Sequence, residues 1–341
     1  MDNQQEVLVD IQDLHVQFYL HEGTVHALEG VSFQIQQGKT LGVIGESGSG
    51  KSVTAQAIMG IIPSPPGKVT GGRVLLNLPQ NGAGVQVVNV TELAPSGAEI
   101  RKIRGKEVSM IFQEPMTSFS PVHTLGDQIM EAIRIHHPEV SKQEARDRTI
   151  QMMRRVGIPR PEERVDAYPF QFSGGMRQRA MIAMALVCHP RLVIADEPTT
   201  ALDVTIEAQI LELLKDLQAE FGMSIMYISH DLTVVGGVAD EVVVMYLGLV
   251  MEQAATNELF DNPLHPYTEA LWRSIPTIDG DLDRLTPIRG ALPSPFATHK
   301  GCPFYSRCEK RITGVCDTAR PPMVEARPKH WVRCVLYADS K

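Results

Sequence analysis

Apolar and polar positions alternate through the first forty residues, as in VSFQIQQG (31–38), a two-residue period that predicts half-buried antiparallel strands closed by a Gln-Gly turn. The period then changes. TLGVIG (40–45) is a nearly continuous apolar run ending in glycines, and KSVTAQAIMG (51–60) reads as a helix, giving strand, loop, helix. Strands return over about 72–92 and at VSMIFQ (108–113), while a helical period governs about 126–156, through DQIMEAIRI and SKQEARDRTIQMMRRV. After FSGGM, an apolar-faced helix leads to RLVIADEP, a strand ending in two acids, and VTIEAQILELLKDLQAEFG leads to the strand MSIMYISH. This alternation predicts parallel strands covered by helices on both faces. From position 276 regularity fades, and IPTIDGDLDRLTPIRGALPSPF reads as a linker rich in turn formers.

At 341 residues, 43% hydrophobic and 21% charged, the chain is long enough for one large or two ordinary domains. A net charge of -8 argues against a nucleic-acid-binding surface, which needs a basic stripe. The opening MDNQQEVLVD lacks the basic start and apolar stretch of a secretory leader, and no run approaches the roughly 18 apolar residues of a membrane span. The expectation is a soluble cytoplasmic chain. In a reducing compartment, clustered cysteines read first as metal ligands or redox groups. Cys188 reads as a small buried apolar residue. Cys302, Cys308, Cys316 and Cys334 fall together in a tail of about 300–336, a module too small for a core of its own without a staple.

Chemistry concentrates in two places. GESGSGKS (45–52) has the form G-x-x-x-x-G-K-[ST] between an apolar strand and a helix. Its small residues let backbone N–H groups point at a triphosphate, the helix N-terminus adds its positive end, Lys51 reaches the outer phosphates, and Ser52 is a magnesium ligand. In LVIADEP, Asp196 and Glu197 fall at the C-terminal edge of a parallel strand, where α/β ligand sites lie. Asp196 is placed to hold magnesium and Glu197 to polarise the attacking water as general base.

FSGGMRQR (172–179), some twenty residues before the acid pair, resembles the signature of the ATP-binding-cassette family, and over about residues 7–275 the motifs follow that family's order. The resemblance implies an α/β P-loop NTPase: a RecA-like parallel-sheet core with an antiparallel β subdomain and a helical subdomain at about 114–175, the cassette occupying 1–262. A C-terminal extension over 263–341 would carry a small cysteine-rich accessory domain. By position, the nucleotide would contact Gly45, Glu46, Ser47, Gly48, Ser49, Gly50, Lys51, Ser52 and Val53, with Phe18, or else Tyr19, stacked on adenine. Gln113 matches the glutamine that senses magnesium and water, completing a magnesium set with Ser52 and Asp196, and His230 the switch histidine on the γ-phosphate. Ser173, Gly174 and Gly175 would face the nucleotide of a partner subunit, and Asp203 belongs to the loop at that interface. The catalytic set is therefore Lys51, Gln113, Glu197 and His230. The signature departs from the family at Phe172 and Met176, where leucine and glutamine are usual.

ESGSGKS, MIFQEPMTS, ADEPTTALDVT and NPLHPYTEALWRSIP together resemble the dipeptide and oligopeptide permease branch. This implies an ATPase driving import of dipeptides or oligopeptides, peripheral on the cytoplasmic face of the membrane. Its partners would be a second, non-identical ATPase, two transmembrane permease subunits docking near 114–124, and an extracytoplasmic binding protein. Import of a nickel chelate, glutathione or an oligosaccharide is the alternative, then a soluble cassette ATPase in assembly or repair. The cysteine spacing C-x5-C-x7-C-x17-C leaves an iron-sulfur cluster, zinc and free thiols open. Resemblance to the branch favours a 4Fe-4S cluster over zinc, beside ATP and Mg2+ as cofactors.

Overall fold

The structure, a computed structural model, describes residues 7–80, 84–113, 118–199, 203–274 and 288–338. It divides into two compact units, one of residues 1–35, 40–92 and 228–341, the other of 36–39 and 93–227.

In the first unit the alternating opening forms β1 (Val7–Leu20) and β2 (Gly23–Gln36). They join β4 (Gly67–Gln80) and β5 (Gly84–Asn89) in a four-stranded sheet of order β2-β1-β4-β5, with β1/β4 and β4/β5 antiparallel. Val9 and Ile11, then, past a register shift between Gln12 and His15, Leu14 and Val16 of β1 are buried, as are Val31, Phe33 and Ile35 of β2, the inward positions of the two-residue period. The second sheet of this unit carries the continuous apolar run as β3 (Thr40–Ile44), buried at all five positions. Helix α1 (Lys51–Met59) follows the loop. β3 pairs in parallel with β9 (Glu241–Tyr246), and β9 pairs antiparallel with β10 (Leu249–Ala255).

The second unit holds α2 (Ala98–Ile103), β6 (Val108–Ile111), α3 (Leu125–His136), α4 (Lys142–Arg155), α5 (Pro161–Arg164), α6 (Gly174–Leu186), β7 (Leu192–Asp196) and α7 (Val204–Phe221). β6 and β7 are parallel and fully buried. Ile210, Leu214 and Leu217 bury one face of α7 at helical spacing. The helical period expected over 126–156 is interrupted: α3 ends at His136, before Pro138, and α4 restarts where Ser141 Oγ accepts the Glu144 amide at 3.2 Å. Proline lacks the donor and serine supplies the cap, so two helices form. Cys188 is half-buried, and its thiol donates a long 3.6 Å contact to the Ala132 carbonyl. β8 (Ser224–Ser229) then leads to α8 (Leu232–Val238).

After β10 come α9 (Thr256–Asp261) and α10 (Pro266–Arg273). The linker expected from 276 lies, as far as 287, outside the described residues. The cysteine-bearing tail does not form a separate accessory domain. Its strands β11 (Val324–Arg327) and β12 (His330–Val332) extend the first unit's sheet, β12 pairing antiparallel with β10. A tail too short for its own core borrows one: Val332 and Cys334 pack with Leu264, flanked by Val324, Ala326 and Tyr337. Beneath the junction Glu252, fully buried, accepts the amides of Leu264 at 2.7 Å and His265 at 2.9 Å and lies 2.7 Å from His330 Nε2. Among the described residues no helix is long and apolar enough to cross a membrane.

Glu252→Ala would leave His330 and two amides buried without an acceptor, a loss of about 3 kcal/mol. Hydrogen exchange of the 324–332 amides should accelerate first, and protection there equal to the unaltered chain's would count against this anchoring role.

Candidate functional site

The residues expected to carry chemistry divide between the units: Phe18, 45–53 and His230 in the first, and Gln113, 173–175, Asp196, Glu197 and Asp203 in the second.

In the first unit, β3 delivers the chain into a turn that only glycine can make. Gly45 has φ +150°, and a Cβ there would fall 2.1 Å from the Met245 carbonyl oxygen. Gly50, at φ +103°, is the N-cap of α1, and its Cβ would fall 2.7 Å from Leu28. Between them Ser47, Gly48 and the following Ser52 are exposed, while Val53 is half-buried. Lys51 is buried, and its Nζ donates to the carbonyls of Gly45 at 2.7 Å and Glu46 at 3.1 Å. Ser49 donates its amide to Glu46 O at 3.1 Å, accepts from the Gly248 amide at 2.9 Å, and keeps a buried Oγ with no hydrogen-bond partner among the described residues. Open backbone, a lysine and a helix N-terminus together suit phosphate anions.

Sequence reasoning missed what holds this loop from behind. The Glu46 amide donates to Tyr267 Oη at 2.9 Å, and the Glu46 carboxylate takes both prongs of Arg307, at 2.5 and 3.0 Å. Tyr267 belongs to the NPLHPY stretch, which thereby acquires a local reason: His265 Nδ1 accepts the Tyr267 amide at 2.9 Å and Pro266 opens α10, aiming the tyrosine ring inward. Burial pushes the His265 imidazole down to about 4, so it caps the helix as a neutral ring.

His230 follows β8 and is exposed; beside it Asp231 caps α8, accepting amides of Thr233 and Val234 at 2.8 and 3.3 Å. Phe18 is half-buried opposite Gly67 on β4, whereas Tyr19 is 51% exposed with its hydroxyl on Gln17.

In the second unit the β6/β7 register pairs Ile111 with Ala195, so Gln113 and Glu197, each two residues further on, meet. Gln113 Nε2 donates to Glu197 Oε2 at 2.9 Å. Glu197 has φ +47°, unusual for a residue with a side chain, and Asp196 ends β7 almost fully buried. Ser173 caps α6, its Oγ accepting the Met176 amide at 3.4 Å. Since the cap uses the backbone of Met176, the departure there from glutamine leaves it intact. Phe172 is buried with the Arg164 guanidinium 5.5 Å over its ring, so the other departure is an apolar anchor. Ser173 and Gly174 are exposed, and beyond its own helix and chain neighbours nothing among the described residues comes within 4 Å of a Cβ placed on Gly174. Asp203 is the N-cap of α7, accepting the Ile206 amide at 3.0 Å.

Cys302, Cys308, Cys316 and Cys334 line one pocket, all as free thiols. Burial pushes Cys302 up to about 12, opposed by an amide hydrogen bond from Phe304 and reinforced by the other three cysteines. Burial likewise raises Cys308 and Cys334, against amides of Lys310 and Leu336. The Ile312 amide donates to Cys316 Sγ at 3.3 Å. Among the described residues, however, no group of three or more His, Cys, Asp or Glu is gathered closely enough to hold a metal ion. The expected 4Fe-4S or zinc site is thus not formed by the sulfur positions as they stand.

A family model described as "ABC transporter" matches residues 28–200, and a second, "Oligopeptide/dipeptide transporter, C-terminal region", matches residues 251–316. The oligopeptide transport ATP-binding protein AppD of Bacillus subtilis is 47% identical, covering 98% of each chain. The chain belongs to the ABC transporter family. Within this family it is also 48% identical to the dipeptide transport ATP-binding protein DppD of Bacillus subtilis, over 97% of this chain and 95% of that one. The oligopeptide transport ATP-binding protein OppD of Escherichia coli is 42% identical over 97% and 94% respectively. Among solved structures, the dimeric post-hydrolysis ATP-binding cassette MJ0796 bound to ADP and Pi superposes with a TM-score of 0.62 at 26% identity, covering 73% of this chain and 98% of that one.

Gly45→Ala forces a backbone shift at the strand-to-loop junction, because the obstacle is a main-chain oxygen. Triphosphate affinity should fall by at least about tenfold with secondary structure retained. A titration giving the unaltered affinity would contradict the cradle.

Proposed function

We propose that this chain is the ATP-hydrolysing subunit of an ABC importer of dipeptides or oligopeptides. The observation that carries the reading is the match of residues 251–316 to the oligopeptide/dipeptide transporter C-terminal region, which specifies a branch within the family. The phosphate cradle at 45–53 and the acid pair at a strand end supply the chemistry that such a subunit needs. Relatives named for oligopeptide or dipeptide transport favour peptides over the nickel chelates, glutathione or oligosaccharides considered from sequence, and over a soluble repair role.

In this reading the loop amides and Lys51 would hold the β- and γ-phosphates, Ser52, Gln113 and Asp196 are the residues that would hold magnesium, and Phe18, or Tyr19 in its place, would stack on adenine. Glu197 accepts a proton from the attacking water, and His230 contacts the γ-phosphate. Exposed Ser173 and Gly174, with Gly175 and Asp203, complete the site of a second, non-identical ATPase subunit. Two permease subunits and an extracytoplasmic binding protein make up the rest of the assembly, with this chain on the cytoplasmic face of the membrane. A groove of about 660 Å³ lined by Ser120, His123, Asp127, Gln128, Glu131 and Arg134 supports permease docking near 114–124, of which 114–117 lie outside the described residues. Cassette and extension are divided at 262/263.

We also propose that Cys302, Cys308, Cys316 and Cys334 hold a 4Fe-4S cluster. Support comes from the shared pocket and from the amide directed at each sulfur, which offsets part of the burial that keeps these groups as thiols. These four sulfurs are the groups that would hold it, and a bound cluster would staple the segment.

The assembled complex should hydrolyse ATP faster when its binding protein is loaded with peptide; stimulation by an oligosaccharide or nickel chelate alone would overturn the peptide reading. Glu197→Gln should lower kcat by about 10²-fold or more while MgATP still binds, since a general base is lost and the binding groups remain. Anaerobic reconstitution with iron and sulfide should give a broad absorption near about 400 nm that Cys308→Ser abolishes. A colourless, iron-free product would exclude the cluster.

A further inference from the structure

The reading above gives no role to Arg307, yet this residue touches the phosphate-binding loop across 261 positions of sequence. We infer that Arg307 is a positioning residue for nucleotide binding: by taking both oxygens of Glu46 it fixes the first turn of the loop and keeps that carboxylate's charge off the incoming phosphates. The inference rests on the nucleotide-site reading of 45–53.

Three features carry it. Glu46 is tied at every polar group: its amide to Tyr267 Oη, its carbonyl to Lys51 Nζ and the Ser49 amide, and its carboxylate to Arg307. Arg307 is itself fixed. Its side chain is 4% exposed, donates to Tyr246 Oη at 3.2 Å and to the Arg289 carbonyl at 3.1 Å, and lies 5.9 and 6.0 Å from the Tyr246 and Phe304 ring centres. Those rings and Tyr267 form one cluster of tilted and edge-to-face contacts, with centroids 4.6 to 5.5 Å apart. A two-pronged guanidinium–carboxylate contact on so rigid a base fixes direction as well as charge.

The third feature is electrostatic. A loop that receives a polyanion is a poor place for a carboxylate, and an unpaired Glu46 would repel the phosphates at close range. A buried ion pair is weak support for fold stability, since apolar replacements often serve as well. Placed on this loop, the pair controls where a negative charge lies. A second tie runs alongside it: Arg320 holds the Glu29 carbonyl at 3.2 Å, the Glu29 amide donates to Gly248 O, and the Gly248 amide donates to Ser49 O.

The test uses the full-length protein, with MgATP affinity by calorimetry, melting temperature without ligand, and KM and kcat in the assembled transporter. Arg307→Ala should weaken MgATP binding and raise KM by about tenfold, with kcat within about twofold. Adding Glu46→Gln to Arg307→Ala should recover affinity to within about threefold of the original, because the uncompensated charge is removed with its partner. A purely structural contact predicts the reverse pattern, a lower melting temperature in both variants and no recovery. Unaltered affinity in Arg307→Ala, or a double variant as weak as the single, overturns the inference. If Arg307→Ala does not fold, Arg307→Lys decides: it keeps the charge without the fork and should lose about threefold, so unaltered affinity there overturns the inference too. An unaltered chain that fails to bind MgATP overturns the nucleotide reading itself.

Discussion

A loop that must turn amide hydrogens toward a ligand has few left to hold itself, and its glycines have no side chains to pack. Apart from the Ser49 amide on the Glu46 carbonyl, the conformation of 45–50 is imposed from outside. Gly45 is pressed against the Met245 carbonyl, Gly50 against Leu28, and Ser49 is tied to Gly248. The neighbours lie on or beside β9 and on β2, strands with buried apolar cores of their own. The freedom that lets the loop meet phosphate is matched by rigidity in the elements behind it.

The C-terminal region belongs to that backing. In the first unit β11, β12, β10, β9 and β3 follow one another in the sheet, so β9 and β10 stand between the tail hairpin and the strand feeding the loop. Tyr246, the last residue of β9, meets Tyr267 from α10 and Phe304 from the tail, so three segments distant in sequence share one aromatic cluster beside the loop. Cys308 immediately follows Arg307 in the chain. A change that reshapes the cysteine pocket thus acts one peptide bond away from a side chain holding Glu46.

The features legible in the sequence were those whose cause is local. The strand, loop and helix around 40–59 and the apolar strand into Asp196 each depend on a few consecutive residues, and periodicity read these elements correctly. The apolar period at 126–156 carried through a proline and a serine that end one helix and start another, and there the period outweighed the punctuation. The tail was misjudged for a different reason. Its length excludes an independent core, but sequence offers no sign that β12 finds a free edge on β10 or that Glu252 waits there for His330. The Arg307–Glu46 contact is further from legibility still, because a lone arginine and a lone glutamate carry no periodic signal.

The contact between Gln113 and Glu197 follows from register alone: parallel strands pairing Ile111 with Ala195 must bring together the residues two steps beyond each. Glu197 enters this contact with its backbone in the left-handed region, a conformation that a residue with a side chain holds only where its surroundings dictate it. A hydrogen bond from an amide to a carboxylate is strong enough to set a resting position and weak enough to be exchanged for a cation or water competing for the same oxygen. Gln113 lies two residues beyond the end of β6, and Glu197 lies one beyond the end of β7, so the contact joins the two strand ends. Strand register at the end of the sheet therefore places the Gln113 amide where it orients the Glu197 carboxylate.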